Sequence, residues 1–267
     1  MNLPGNKYIQ SALARAVIDA GYLDTLGKAR PGRHPLLTAS PDTLARIRNF
    51  SAFISRVQHN FLLGEYPLTF RFLQQFRLSG AVFSAYLDIH QRLKKEKASL
   101  QQKEESFISF LDGFLQRQTT SRHLLMRDIL SHEAALKKLR DKNAAPAEKN
   151  SRRLPGFTID HPVHIDGYYE VVALHCSPES IATASLKIPR YGKKEKIYCY
   201  WLQPGTSGFD HFEIMPPLLA LLQRINGKKT IREIASGGKN SPPQTGVIQL
   251  FQAMYEMGFI YFTKSAT

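Results

Sequence analysis

The sequence predicts an α+β chain, with a helical part over residues 1–150 and a small module of strands and helices over residues 151–267. Three observations carry this. Apolar residues recur at helical spacing from Pro41 to Leu139, the period drops to two between Tyr169 and Leu202, and helical spacing returns from Met215 onward. Between the two parts, residues 141–153 contain little that can be buried and are expected to form a linker.

Ser40-Pro41-Asp42 is suited to start a helix carrying Leu44, Ile47, Phe50, Ile54, Val57 and Phe61 on one side. Gly64-Glu65-Tyr66-Pro67 interrupts it, because proline lacks an N–H donor and restricts the residue before it. Helical spacing restarts with Leu68, Phe72, Leu73 and Phe76, pauses at Leu78-Ser79-Gly80, and resumes with Phe83, Tyr86, Leu87 and His90. Arg92 to Glu105 is strongly charged and is expected to face solvent. Phe107, Phe110, Leu111, Phe114 and Leu115 then define one amphipathic element, and Leu124, Leu125, Ile129 and Leu130 the next.

In the second part, Tyr169, Val171, Ala173 and His175 alternate with Glu170, Val172, Leu174 and Cys176. Residues 181–188 and 196–202 are further strand candidates, and Pro178, Pro189 and Gly192 punctuate them, which predicts an antiparallel sheet of about three strands. After a turn at Gln203-Pro204-Gly205, a helix is expected over residues 215–225, ending at Asn226-Gly227. Thr230 and Glu233 form a capping box for a short helix over 231–235. A loop over 237–246 leads to a third helix with Val247, Leu250, Phe251, Met254 and Tyr255, and Phe259 to Phe262 reads as a closing strand. A three-stranded sheet, three helices and a final wing make a winged-helix-like module.

The 267 residues are 43% hydrophobic and 22% charged, as in an ordinary globular protein. No apolar run approaches the ~20 residues of a membrane helix, and Met1-Asn2-Leu3-Pro4-Gly5 lacks the basic and apolar regions of a signal peptide, so a cytoplasmic protein is expected. Cys176 and Cys199, the two cysteines, fall in apolar alternation and are expected to be reduced core residues. The formal charge of +14 raises the question of nucleic acid, and most of the excess lies in residues 1–150. A DNA-reading helix displays Arg, Lys, Asn or Gln to bases, whereas residues 247–257 offer Gln249, Gln252 and Glu256 and no basic residue. A winged-helix DNA regulator stays as the rival reading.

The stretch Asn226-Gly227-Lys228-Lys229-Thr230-Ile231-Arg232-Glu233-Ile234-Ala235, followed after a gap by residues 247–262, resembles the peptide-chaperone fold of pathways that modify ribosomally made peptides, such as the small chaperone of pyrroloquinoline quinone synthesis. The resemblance spans roughly residues 165–262 and implies a three-stranded sheet on three helices, to which a substrate's leader peptide adds as a strand. Asn49-Phe50 through Phe61, the Tyr66-Pro67 break, Phe110-Leu111 and Asp128-x-x-x-His132-Glu133-x-Ala135-Leu136 are similar to the partner proteins of TIM-barrel iron oxygenases in peptide modification, which include the small subunit of the methanobactin maturation complex. Tyr200 to Gly205 and Phe209-Asp210-His211-Phe212 are similar to the closing part of that subunit, although this chain carries a full winged-helix end. The resemblance implies an oxygenase partner that holds iron ions and oxidises a precursor cysteine to an oxazolone with an adjacent thioamide. It implies no cofactor in this chain, which would bind the leader within a heterodimer.

No residue is expected to be catalytic. Asp210, His211 and Glu213 are types found in metal or acid–base sites, and equally a turn that satisfies its own backbone. Asp160-His161 and His164-x-Asp166 either reach a neighbour's active site or form a solvated linker. Asp128 and His132 lie one helical turn apart, as a rim contact to a partner or as a local pair. No phosphate loop is present, and Gly205-x-x-Gly208 lacks the strand–glycine–helix context of a dinucleotide site. Partner contacts are expected from Trp201, Phe209, Asp210, His211, Phe212, Asp128 and His132, and leader contacts from Tyr198, Cys199, Tyr200, Val247, Phe251 and Met254. No nucleic acid, membrane or metal is expected to bind.

Overall fold

The computed structural model describes residues 46, 49–50, 53–54, 56–57, 59–118, 120–144, 153–183, 192, 194–203, 206, 208–236 and 244–264. The Ser40-Pro41-Asp42 cap, Leu44, Ile47, most of the 141–153 linker, the greater part of the 181–188 strand candidate, Pro204-Gly205 and most of the 237–246 loop lie outside the described residues. The fold is mixed α+β and divides into two compact units, residues 1–130 and 131–267. The division falls inside one helix, ahead of the segment expected as the linker.

In the first unit, α1 (Leu62–Glu65) stops at Tyr66 and α2 (Pro67–Gln75) starts on Pro67, whose missing N–H costs nothing in a first turn. Helices α3 (Ser79–Lys95) and α4 (Leu100–Gln116) follow, and α5 (Ser121–Asn143) crosses into the second unit. A capping box opens α4: Ser99 Oγ accepts from the Gln102 N–H at 3.2 Å and Gln102 Oε1 from the Ser99 N–H at 2.8 Å. The charged 92–105 stretch forms the α3–α4 corner, exposed over most of its length, with Leu93 turned inward. Phe107 centres the core: Phe70 and Phe83 stack on it at 5.7 and 5.3 Å, and Tyr86 meets it edge-on at 5.0 Å.

In the second unit, β1 (Val163–Ile165) and β2 (Tyr168–Leu174) lead to α6 (Pro178–Ala182), then β3 (Lys196–Leu202) and β4 (Phe209–Ile214). Helices α7 (Pro216–Leu222), α8 (Ile231–Ser236) and α9 (Gln244–Glu256) precede β5 (Ile260–Phe262). The main sheet is antiparallel in the order β2-β3-β4, while β5 pairs with β1 as a separate ribbon.

Two expectations are corrected. Ile181 and Ala182 end a helix rather than begin a strand, because Ser177 caps the Ser180 N–H and Pro178 sits in the first turn, a start signal that outweighs the period-two reading. The third strand is instead β4, whose Phe-Asp-His-Phe-Glu-Ile sequence has no clean polar–apolar alternation.

Successive side chains of β3 point to opposite faces. Cys199 and Trp201 join the core with Ile214, Leu222, Ile231, Ile234, Val247, Phe251, Met254 and Phe259. Tyr198, Tyr200 and Leu202 face the other way and are buried too, so β3 is covered on both sides. On that second face α5 supplies His132, from its middle, to Tyr200 and Lys142, from its last turn, to Glu170. The α8 capping box forms as expected, with Thr230 Oγ1 3.2 Å from the Glu233 N and Glu233 Oε2 2.8 Å from the Thr230 N. Among the described residues, no helix is long and apolar enough to cross a membrane.

Candidate functional site

Strand β3 pairs with β2 along one edge and with β4 along the other. Its backbone groups are therefore committed on both sides, and no further strand adds at Tyr198-Cys199-Tyr200. This corrects the expected place of leader pairing. The outer strands of the sheet are β2 and β4, and among the described residues neither pairs with another strand on its outer side.

The helix half of the expected leader site also moves. Val247, Phe251 and Met254 are at most 2% exposed and belong to the core under the sheet, because the apolar stripe of an amphipathic helix is the part that turns inward. The solvent side of α9 is formed by Thr245, Gln249, Gln252, Ala253 and Glu256. Burial of Cys199 pushes its thiol up to about 12, which leaves it an inert core residue.

Four of the expected partner contacts are contiguous on β4. Phe209, His211 and Phe212 are half-buried and Asp210 is exposed. Phe212 packs edge-on against Phe259 at 5.5 Å. His211 Nε2 lies 2.7 Å from Glu179 Oε1 on α6, and this bond, with backbone bonding at the helix start, holds the Glu179 carboxyl down at about 2. Trp201 is not available as an anchor: it is 6% exposed, its indole N–H donates to the Asp166 carbonyl, and its ring meets Phe259 at 5.4 Å.

Asp128 and His132 are both buried, so neither forms a rim. His132 Nδ1 is 2.7 Å from the Tyr200 hydroxyl, and burial, followed by the nearby His211, pulls its imidazole down to about 4. Register places Tyr200 opposite His211, with ring centroids 6.0 Å apart. The sheet thus brings His132 and His211 onto one face, a proximity invisible in the linear sequence.

The segment ahead of the sheet is structural. Arg153 grips Asp166 with both guanidinium nitrogens, at 2.6 and 2.8 Å, and lies 4.3 Å over the Tyr261 ring. Asp160 pairs with Arg232 at 2.9 Å, and His164 stacks on Tyr261 while bonding Thr263 Oγ1 at 2.9 Å. Among the described residues, no group of three or more His, Cys, Asp and Glu side chains is arranged to hold a metal ion. A shallow cleft lined by Leu93, Glu96, Ala98, Gln102, Glu105 and Ser106 lies at the α3–α4 corner.

What the described residues of the sheet offer is an outer strand with half-buried aromatics. The chain matches no protein-family model and no curated protein.

Proposed function

We propose that this chain is a non-catalytic, cytoplasmic subunit of a peptide-modifying iron oxygenase complex, and that its second unit holds a precursor's leader peptide by strand addition at β4. The observation that carries this reading is the outer edge of β4 in the antiparallel sheet β2-β3-β4, followed in the chain by the three helices α7, α8 and α9, and it is read together with the resemblance to the peptide chaperones. An extended peptide beside β4 would gain main-chain hydrogen bonds for affinity, with Phe209, His211 and Phe212 selecting its side chains. The iron ions and the oxidation of cysteine to oxazolone and thioamide belong to a TIM-barrel partner, with which this chain forms a heterodimer. The rival reading, a DNA regulator, is disfavoured because the solvent side of α9 shows Gln249, Gln252 and Glu256 without a basic residue.

Co-expression with the proteins and precursor peptide encoded beside it, followed by hydrogen exchange, tests this. Leader binding is expected to protect amides of Phe209–Ile214 and of the leader itself. One of the adjacent variants Asp210→Pro and His211→Pro, each checked for folding, is expected to weaken binding by removing an outward N–H. Tight leader binding with protection confined to the first unit would refute the β4 assignment.

A further inference from the structure

Three carboxylates lie within the main sheet, and two are neutralised. Glu170 receives Lys142 at 2.6 Å and Lys138 at 3.9 Å, and Glu213 receives Lys196 at 2.7 Å. Asp210 has no basic partner among the described residues, although it is exposed and sits on the outer strand. Its cross-strand neighbour is Trp201, whose indole N–H is already committed to the Asp166 carbonyl. Strand alternation puts Asp210 on the same face as Phe212, two positions on, and Phe212 is half-buried against Phe259. Among the described residues, an uncompensated carboxylate therefore neighbours a half-open aromatic surface along the β4 edge that pairs with no other strand.

We propose that Asp210 and Phe212 are specificity residues: the peptide that adds to β4 carries a basic side chain beside Asp210 and an apolar one, two positions away, beside Phe212. This rests on the strand-addition reading and narrows its substrate class to extended peptides with a basic-x-apolar pattern. Directly opposed residues of neighbouring strands bring their Cβ atoms within ~4.5–5.5 Å, so opposite charges there attract and like charges repel. Asp210 thereby selects both composition and register, since a slip of one residue moves the basic side chain to the other face.

The test uses the full chain and short synthetic peptides with an alternating Thr/Val host, a central Leu and, two positions away on either side, Lys, Ala or Glu. Binding is read by fluorescence anisotropy. The better Lys peptide is expected to bind about fivefold more tightly than its Glu counterpart, a ratio that shrinks as salt rises. Asp210→Asn brings the ratio towards one and Asp210→Lys inverts it, and exposure of this side chain lets both variants fold, as circular dichroism checks. Equal binding of all peptides, or a ratio that survives Asp210→Lys, overturns this inference and leaves strand addition standing. If no peptide protects the β4 amides, strand addition fails and the inference with it.

Discussion

The imidazole of His132 and the hydroxyl of Tyr200, 68 residues apart in the chain, share a buried 2.7 Å hydrogen bond that fastens the middle of α5 to the central strand of the sheet. Tyr200→Phe removes the hydroxyl and leaves the buried His132 Nδ1 without this bond. A loss of about 1–3 kcal/mol is expected, visible as a lower urea midpoint with an unchanged m-value. An unchanged midpoint would show that the bond adds nothing to stability.

Stability is expected to fall with acid in two windows. His132 and His90 are both held down to about 4, His132 by burial and then by His211, His90 by burial and then by His59, Lys94 and Lys103. In the unfolded chain they titrate near the ordinary ~6.5, so between about pH 6.5 and 4 the unfolded state binds protons that the folded state does not. Each site then withdraws on the order of 3 kcal/mol as pH falls through this window, and neither contributes further change below it. Glu179, depressed to about 2, acts lower: its contribution is present above its ordinary carboxylate range and is lost as pH falls through about 2. Urea midpoints between pH 7 and 4 are expected to flatten in His132→Phe and His90→Phe, and an unaltered slope in both would contradict the assignment.

Left-handed backbone positions give substitutions of opposite sign. Gly227 has φ +72, and a Cβ there would lie 2.6 Å from His164 Cε1, so Gly227→Ala meets both backbone strain and an aromatic wall. A cost of about 1–3 kcal/mol is expected. Lys97 has φ 52 at the end of α3, where the Ala98 N–H bonds back to the Leu93 carbonyl. Lys97→Gly is expected to stabilise by about 0.5–1 kcal/mol, since only the folded state forces the left-handed geometry. Thermal unfolding of the two variants separates these outcomes, and a neutral Gly227→Ala would contradict both the backbone strain and the His164 contact.

The residues of β4 explain why side-chain period does not reveal it as a strand. Phe209, His211 and Glu213 share one face and Asp210, Phe212 and Ile214 the other, so neither face is uniformly apolar and the period-two signal is weak. The same residues are nonetheless legible as contacts, because clustered aromatics beside a turn are conspicuous whatever their secondary structure. Trp201, conspicuous beside the same turn, and Val247, Phe251 and Met254, conspicuous for their helical apolar spacing, are core instead, since an aromatic or aliphatic side chain fills an interior as well as an interface.

The sequence by itself determined what depends on a few neighbouring residues: the break before Pro67, the Thr230–Glu233 capping box, the strands around residues 168–174 and 196–202, and the mixed α+β class. These are short-range effects of missing donors, reciprocal caps and side-chain period. Only the tertiary structure decided that β3 is central and β4 outermost, that β5 leaves the main sheet to pair with β1, and that His132 reaches Tyr200. Alternation along a strand tells which side chains share a face but not which strand lies alongside, because that choice is made by hydrogen bonds and packing between segments far apart in the chain.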